Sequence, residues 1–513
     1  MQTRREFLYR TAMLTGSGIL ALTNTGCKNA GKLLKGNASN SSAQAASSSA
    51  LIKAAASSKV VHLLNRTSFG ISEASLQRVN AIGPDAYIEE QLHPQNIPDT
   101  AVETEIARQF PRTQMTGEAL ENSEKKWIAE SELRDATLYR MFYSARQLQE
   151  VMVDFWSNHF NIDSRVNRLR WYKAIDDREV IRQHALGNFR DLLHASAKSP
   201  AMLEYLNNVT NIRQGPNENY ARELMELHTL GIDGGYAESD IKEVARCFTG
   251  WQIDRQTITF RFNAGQHDTE EKQVLGQSIP AGGGVEDGEQ VLDILLSHPS
   301  TARFIATKLV RRFVADTPPA ALVDRVADSF TATNGDIRSM LRVILGADEF
   351  FGSSDAKMKR PIEFIAAAIR ALSPEPDNYS GPDILTILSR LGQVPFHWSS
   401  PDGYPDRADY WNSVQGLASR WEYALAISQM TWTADNPITA NLSGSISTPA
   451  ELVDRLTDRL IHRKLQDNEK NELLQAATGG VIEVDAPLPD RLRLEKATLI
   501  TAALLASPYF MVR

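Results

Sequence analysis

Apolar residues recur along this chain mostly at intervals of three and four, the spacing of one helix face. The pattern predicts a short helix in Lys59 to Gly70, "KVVHLLNRTSFG". A second runs from Ser72 to Gly83, with a Ser to cap its start and a Gly at its end. A third, Pro84 to Pro94, opens and closes on proline. Longer amphipathic patterns cover Glu124 to Phe160 and Tyr172 to Ser196, and "RFIATKLVRRFV" (Arg303 to Val314) continues the theme.

Period-two alternation is scarce. Its best case is Thr257 to Asn263, where Ile258, Phe260 and Phe262 alternate with polar residues. Trp251 to Ile253 is placed to pair with it across Asp254, Arg255 and Gln256. The pattern therefore predicts a mainly α protein: one large multi-helix body, residues 59–513, with one small antiparallel β hairpin. The glycine-rich stretch Gly276 to Gly284 reads as a mobile loop, because it follows no convincing strand and lacks the Lys-Ser/Thr of a phosphate-binding loop. Turn formers at Ser373 to Asp383 and Asp435 to Ala450 mark candidate boundaries within the body.

The front of the chain is different. "TRREFLYR" (Thr3 to Arg10) holds a twin arginine, and the apolar stretch Thr11 to Leu22 is too short to span a bilayer. This is the layout of a Tat export signal over residues 1–27, which implies a periplasmic or extracellular destination. Cys27 after Gly26 is a candidate for lipid attachment, although Asn24 stands where a lipoprotein signal usually has Leu. A lipid there would be the chain's contact with a membrane. Residues 28–58 are rich in Ser and Ala and read as a flexible linker.

Composition narrows the chemistry. The chain has two Cys, so the body keeps Cys247 alone, without an intramolecular disulfide or a Cys-rich zinc site. The formal charge is −8, and removal of the signal's three Arg and one Glu leaves about −10. That balance argues against a general nucleic-acid binder, which needs a basic stripe.

Two predicted helices carry an ionisable group on their apolar side. On a regular helical wheel Glu223 falls between Leu227 and Leu230, in line with Tyr220 and Leu224. His159 falls at the centre of the stripe made by Leu148, Val151, Met152 and Phe155. An isolated buried charge costs several kcal/mol, so these groups call for internal partners. His228 sits about 140° from Glu223 on a straight helix, which disfavours one metal ion shared by that pair. His267 and Asp268 form a third polar element, suited to a general base or a metal. Arg222 could orient a carboxylate. Each of these residues also has an ordinary structural reading, as a satisfied pair inside the fold. The aromatics of Phe396 to Trp411 suit either sugar stacking or simple packing of a long loop. The motifs of common hydrolases, zinc proteases, dinucleotide sites and calcium loops are absent.

Taken in order, "HLLNRTSFG", "FWSNHF", "NENYARELMELHTLG" with "GGYAESDIKEVARCFTGW", "HDTEEKQVLG", "RFIATKLVRRFVAD" and "PDGYPDRADYWNS" resemble the bacterial domain-of-unknown-function family 1800. The resemblance runs from about His62 to the C-terminus. It implies one continuous module, commonly exported, often alongside another exported family, and it brings no assigned catalytic residue. This chain departs from the expected pattern at Ala237, where a Thr cap is usual, and at Arg312, where His is usual. Two functions remain open. One is an extracytoplasmic hydrolase-like or metal-assisted enzyme using His159, Glu223, Arg222, His267 and Asp268, with a divalent metal as candidate cofactor. The other is a non-catalytic envelope protein that binds a polymer or another exported protein.

Overall fold

A computed structural model describes residues 58–372, 381–431, 446–478 and 486–513. The segments read as an export signal and a linker, Cys27 and most of both candidate boundaries lie outside the described residues. The described part is mainly α, in one compact unit. No helix among the described residues is long and apolar enough to cross a membrane.

The N-terminal helices form where pattern and caps agree. Lys59–Thr67 starts on the Ser58 hydroxyl, which accepts from the Val61 amide. Glu73–Ile82 starts on a reciprocal Ser72–Ser75 capping box. It ends at Gly83, whose φ of 84° favours glycine. The long pattern from Glu124 to Phe160 is broken into Ala129–Tyr143 and Gln147–His159.

The centre is Pro361–Leu372, a helix buried at every position, as expected of a segment that is apolar all round. Its alanines permit close approach: a Cβ on Gly70 would lie 2.4 Å from the Ala367 Cα. Arg370 on this helix donates to the carbonyls of Gly70 and Phe142, both at 2.7 Å, and so ties three segments together.

The expected hairpin is present. β1 (Trp251–Asp254) pairs antiparallel with β2 (Thr259–Phe262), Trp251 opposite Phe262. A second hairpin was not anticipated. β3 (Lys272–Val274) pairs with β4 (Gln277–Ile279) across Leu275 and Gly276, both at positive φ, as a tight two-residue turn requires. The stretch from Gly276 to Gly284 is thus partly strand rather than a plain loop.

The helix Glu238–Cys247 begins at Ala237, which has extended backbone but no hydroxyl to offer. Asp240 supplies half of a capping box by accepting from the Ala237 amide at 2.8 Å. Ala237→Thr should complete it and raise stability by about 1 kcal/mol. Chemical denaturation measures the gain, and an unchanged midpoint would refute it.

Candidate functional site: a cationic cleft

The Leu224–Thr229 segment is a π turn, not a continuation of the preceding α-helix. The Leu230 amide reaches back to the Met225 carbonyl at 2.9 Å, and the Thr229 hydroxyl to Leu224 at 2.7 Å. The wider turn rotates the downstream residues. Leu224, Met225, His228 and Thr229 become buried, whereas Glu223 and Leu227 are only half-buried. The expectation that Glu223 faces the core is therefore corrected: a regular wheel does not describe this helix, and His228 is the inward group.

His228 meets the other inward histidine. His159 Nε2 lies 3.1 Å from the His228 carbonyl, and the two rings are 6.1 Å apart among Phe160, Phe189 and Trp156. Burial pushes the His228 imidazole down to about 3 and His159 well below its ordinary value, with the Lys308 charge acting the same way on both. Both rings are neutral at physiological pH.

His159 also lines an open cleft of about 280 Å³. Five separate segments build it: Asp154 to His159, Leu227, the Phe304 to Arg312 face, Arg360, and the loop Asp402 to Arg407. Phe304, Lys308 and Arg311–Arg312 recur at helical spacing on Pro299–Phe313, so one helix presents them together. The loop docks on the other wall. The Tyr404 amide donates to the Asn158 side chain at 3.1 Å, and the Tyr404 hydroxyl donates to Val394 at 2.8 Å. Trp398, Tyr404, Tyr410 and Trp411 meet one another in tilted and edge-on contacts that pack the loop, with Tyr410 left half exposed.

Gly403 makes the docking feasible. Its φ is 75°, and a Cβ there would lie 2.1 Å from the Asn158 carbonyl oxygen. Gly403→Ala should displace the loop and cost about 2–3 kcal/mol. A thermal melt reads the loss. A fully wild-type melt would contradict this docking.

Charge is unevenly spread in the cleft. Its lining includes Lys308, Arg311, Arg312, Arg360 and Arg407 against Asp154, Asp402 and Asp406. The acids are engaged. Asp154 accepts from Arg360 at 2.5 Å, Asp402 from the Trp398 indole at 2.8 Å, and Asp406 pairs with Lys357 at 2.9 Å. Burial would raise the Asp406 pKa, but the charges of Lys357, Arg312 and Arg360 outweigh it and hold the carboxyl at about 2. Of the cations, Arg312, Arg360 and Arg407 pair with Glu363, Asp154 and Asp409, whereas Lys308 and Arg311 have no carboxylate partner among the described residues. Lys308 makes no ion pair or hydrogen bond among the described residues; its ammonium lies 5.4 Å from the Phe304 ring centre. Burial, aided by the Arg311 charge, lowers it to about 8. Arg312 is 2% exposed and pairs with Glu363 through Nη1, leaving Nε and Nη2 without partners. Unmade hydrogen bonds of buried charged donors cost about 1–3 kcal/mol or more each.

Behind the cleft, Glu363 gathers Arg312, Arg360 and Arg513. Burial opposes its ionisation, yet these three guanidinium groups hold its pKa well below the ordinary value. Arg66, fully buried nearby, adds further positive charge and is opposed by Arg513 and Arg312.

The other sequence candidates lie in different settings. Glu223 is not among the lining residues; its carboxyl is raised, chiefly by burial and then by Glu226 and Asp402. Arg222 is half-exposed and pairs with Glu238 at 2.6 Å, Glu218 at 3.3 Å and Glu226 at 3.5 Å. His267 does not line the cleft; it faces Thr249 O at 2.8 Å and Asp287 at 3.1 Å, and Lys272 joins Asp287 at 2.6 Å. Asp268 accepts from Arg246 at 2.7 Å and 3.2 Å. These contacts tie the second hairpin to the helices Glu238–Cys247 and Val285–Ser297. No group of three or more His, Cys, Asp or Glu suited to a metal ion occurs among the described residues. Lys308 and Arg360 were not flagged by the sequence, since a Lys or Arg at helical spacing ordinarily reads as a solvated face.

Fold and site together define a helical protein with a basic cleft assembled from widely spaced motifs. The DUF1800 family profile, described as a protein of unknown function, matches residues 62–512, and the chain belongs to that family. No curated protein and no solved structure matches it.

Proposed function

We propose that this is an exported protein of the cell envelope whose working part is the cleft, and that it acts by binding a ligand there. The observation that carries the reading is convergence: segments from "FWSNHF", "ELMELHTLG", "KLVRRF" and "PDGYPDR" meet around one open space. The twin arginine at Arg4 and Arg5 supports export. The cations in the lining suit recognition of a ligand, and a hydrolase-like or metal-assisted enzyme is the second reading. His159 contributes a neutral wall, and Arg222, His267 and Asp268 hold helices and hairpin in register. An exported partner or envelope polymer would present the bound group.

Native mass spectrometry of protein recovered from the envelope of its own host tests this. The wild type should carry a ligand that Leu227→Trp, which fills the cleft without altering its charge, does not. Identical spectra free of ligand would overturn the reading. Changing Arg4 and Arg5 to Lys should hold the protein in the cytoplasm, as fractionation would show; unchanged export would refute the Tat route.

A further inference from the structure

We infer that the group taken by the cleft is an oxyanion, a carboxylate or a phosphate. The inference rests on the binding reading above and adds the chemistry of the ligand. Three features of the site point the same way. Of the five cationic side chains in its lining, Arg312, Arg360 and Arg407 are paired with carboxylates, which leaves Lys308 and Arg311 without one among the described residues. Lys308 stands in the wall with no ion pair or hydrogen bond among the described residues, Asp402 and Asp406 acting on it only at longer range. Arg312, buried at the floor, keeps Nε and Nη2 without acceptors.

A guanidinium edge with two unspent N–H donors matches the spacing of two oxygens on one carboxylate or phosphate. A flexible ammonium beside it supplies a point charge to the same group. Arg311, whose Nε is committed only to the Asp316 carbonyl at 3.3 Å, adds a third cation to the lining. A neutral ligand would leave Lys308 without a direct ion pair and the Arg312 donors unmade. Asp154 and Asp406 are held by Arg360 and Lys357, and Asp402 and Asp406 act on Lys308 only from beyond ion-pair distance.

Calorimetric titration of the purified chain with inorganic phosphate, and separately with acetate, tests the inference, with chloride at matched ionic strength as baseline. At least one should bind saturably at one site. Lys308→Met and Arg311→Gln should each weaken it tenfold or more while retaining wild-type circular dichroism, since neither side chain has a carboxylate partner to lose. Preference for phosphate or for acetate then names the source. Absence of saturable binding by both anions, or equal binding by both variants, would overturn the inference. If an uncharged ligand were recovered from the native protein and lost in Leu227→Trp, the oxyanion class would fall while the binding reading stood. If nothing were recovered and neither anion bound, both would fall.

Discussion

Lowering the pH from 8 to 5 should destabilise this protein by several kcal/mol through its buried histidines. His62, His159 and His228 are buried, and burial depresses all three: His62 to about 4, His228 to about 3, and His159 well below its ordinary value. The unfolded chain takes up protons near 6.5, whereas the folded one does not. Stability from each is therefore fully present above about pH 6.5 and is lost as the pH falls toward the folded value. At pH 5 each histidine costs about 2 kcal/mol, a large share of an ordinary folding free energy. Urea unfolding at pH 8, 6.5 and 5 measures the loss. His62→Phe, which keeps a ring beside Phe350 at the 4.7 Å contact, should remove about 2 kcal/mol of the pH dependence. A flat profile from pH 8 to 5 would show that these rings are hydrated.

Glu363→Gln should be the most damaging single substitution described here. The carboxylate is the shared anion of Arg312, Arg360 and Arg513, and its second oxygen accepts from the Arg360 amide at 2.8 Å. A neutral amide keeps the volume but leaves three buried guanidinium groups facing one another. Removal of one member of a buried ion cluster costs about 3–5 kcal/mol. The same carboxylate gives an acid limb. Its folded pKa is depressed, so its contribution is present above about pH 4.5 and fades as the pH drops below that. Guanidinium denaturation of the variant would show a much earlier midpoint. A wild-type midpoint would mean that the cations are balanced by other groups.

The sequence disclosed a good part of this architecture. Ser72 and Gly83 bound a helix as caps should, and the alternation at Phe260 and Phe262 located a real hairpin. His159 was legible as an inward group because its helix is regular. Glu223 was misplaced because the wheel assumes a constant angle, and nothing in "LMELHT" announces a π turn. The second hairpin escaped because Leu275 at positive φ is an unusual turn residue. The cleft was the least legible feature. Lys308 and Arg312 are four apart on one helix, which suggests solvent, and only tertiary packing puts Arg312 against Glu363. Arg360 and Asp154 are a pair 206 residues apart, a separation that no local pattern reports.

Crystals of the purified protein soaked in selenate would test the central claim most directly, because selenium can be located by its anomalous scattering. The account predicts a selenate in the cleft, with oxygens within hydrogen-bond reach of Arg312 Nη2 and the Lys308 ammonium. Selenate bound only elsewhere, with Arg312 Nε and Nη2 satisfied by protein carbonyls, would contradict it.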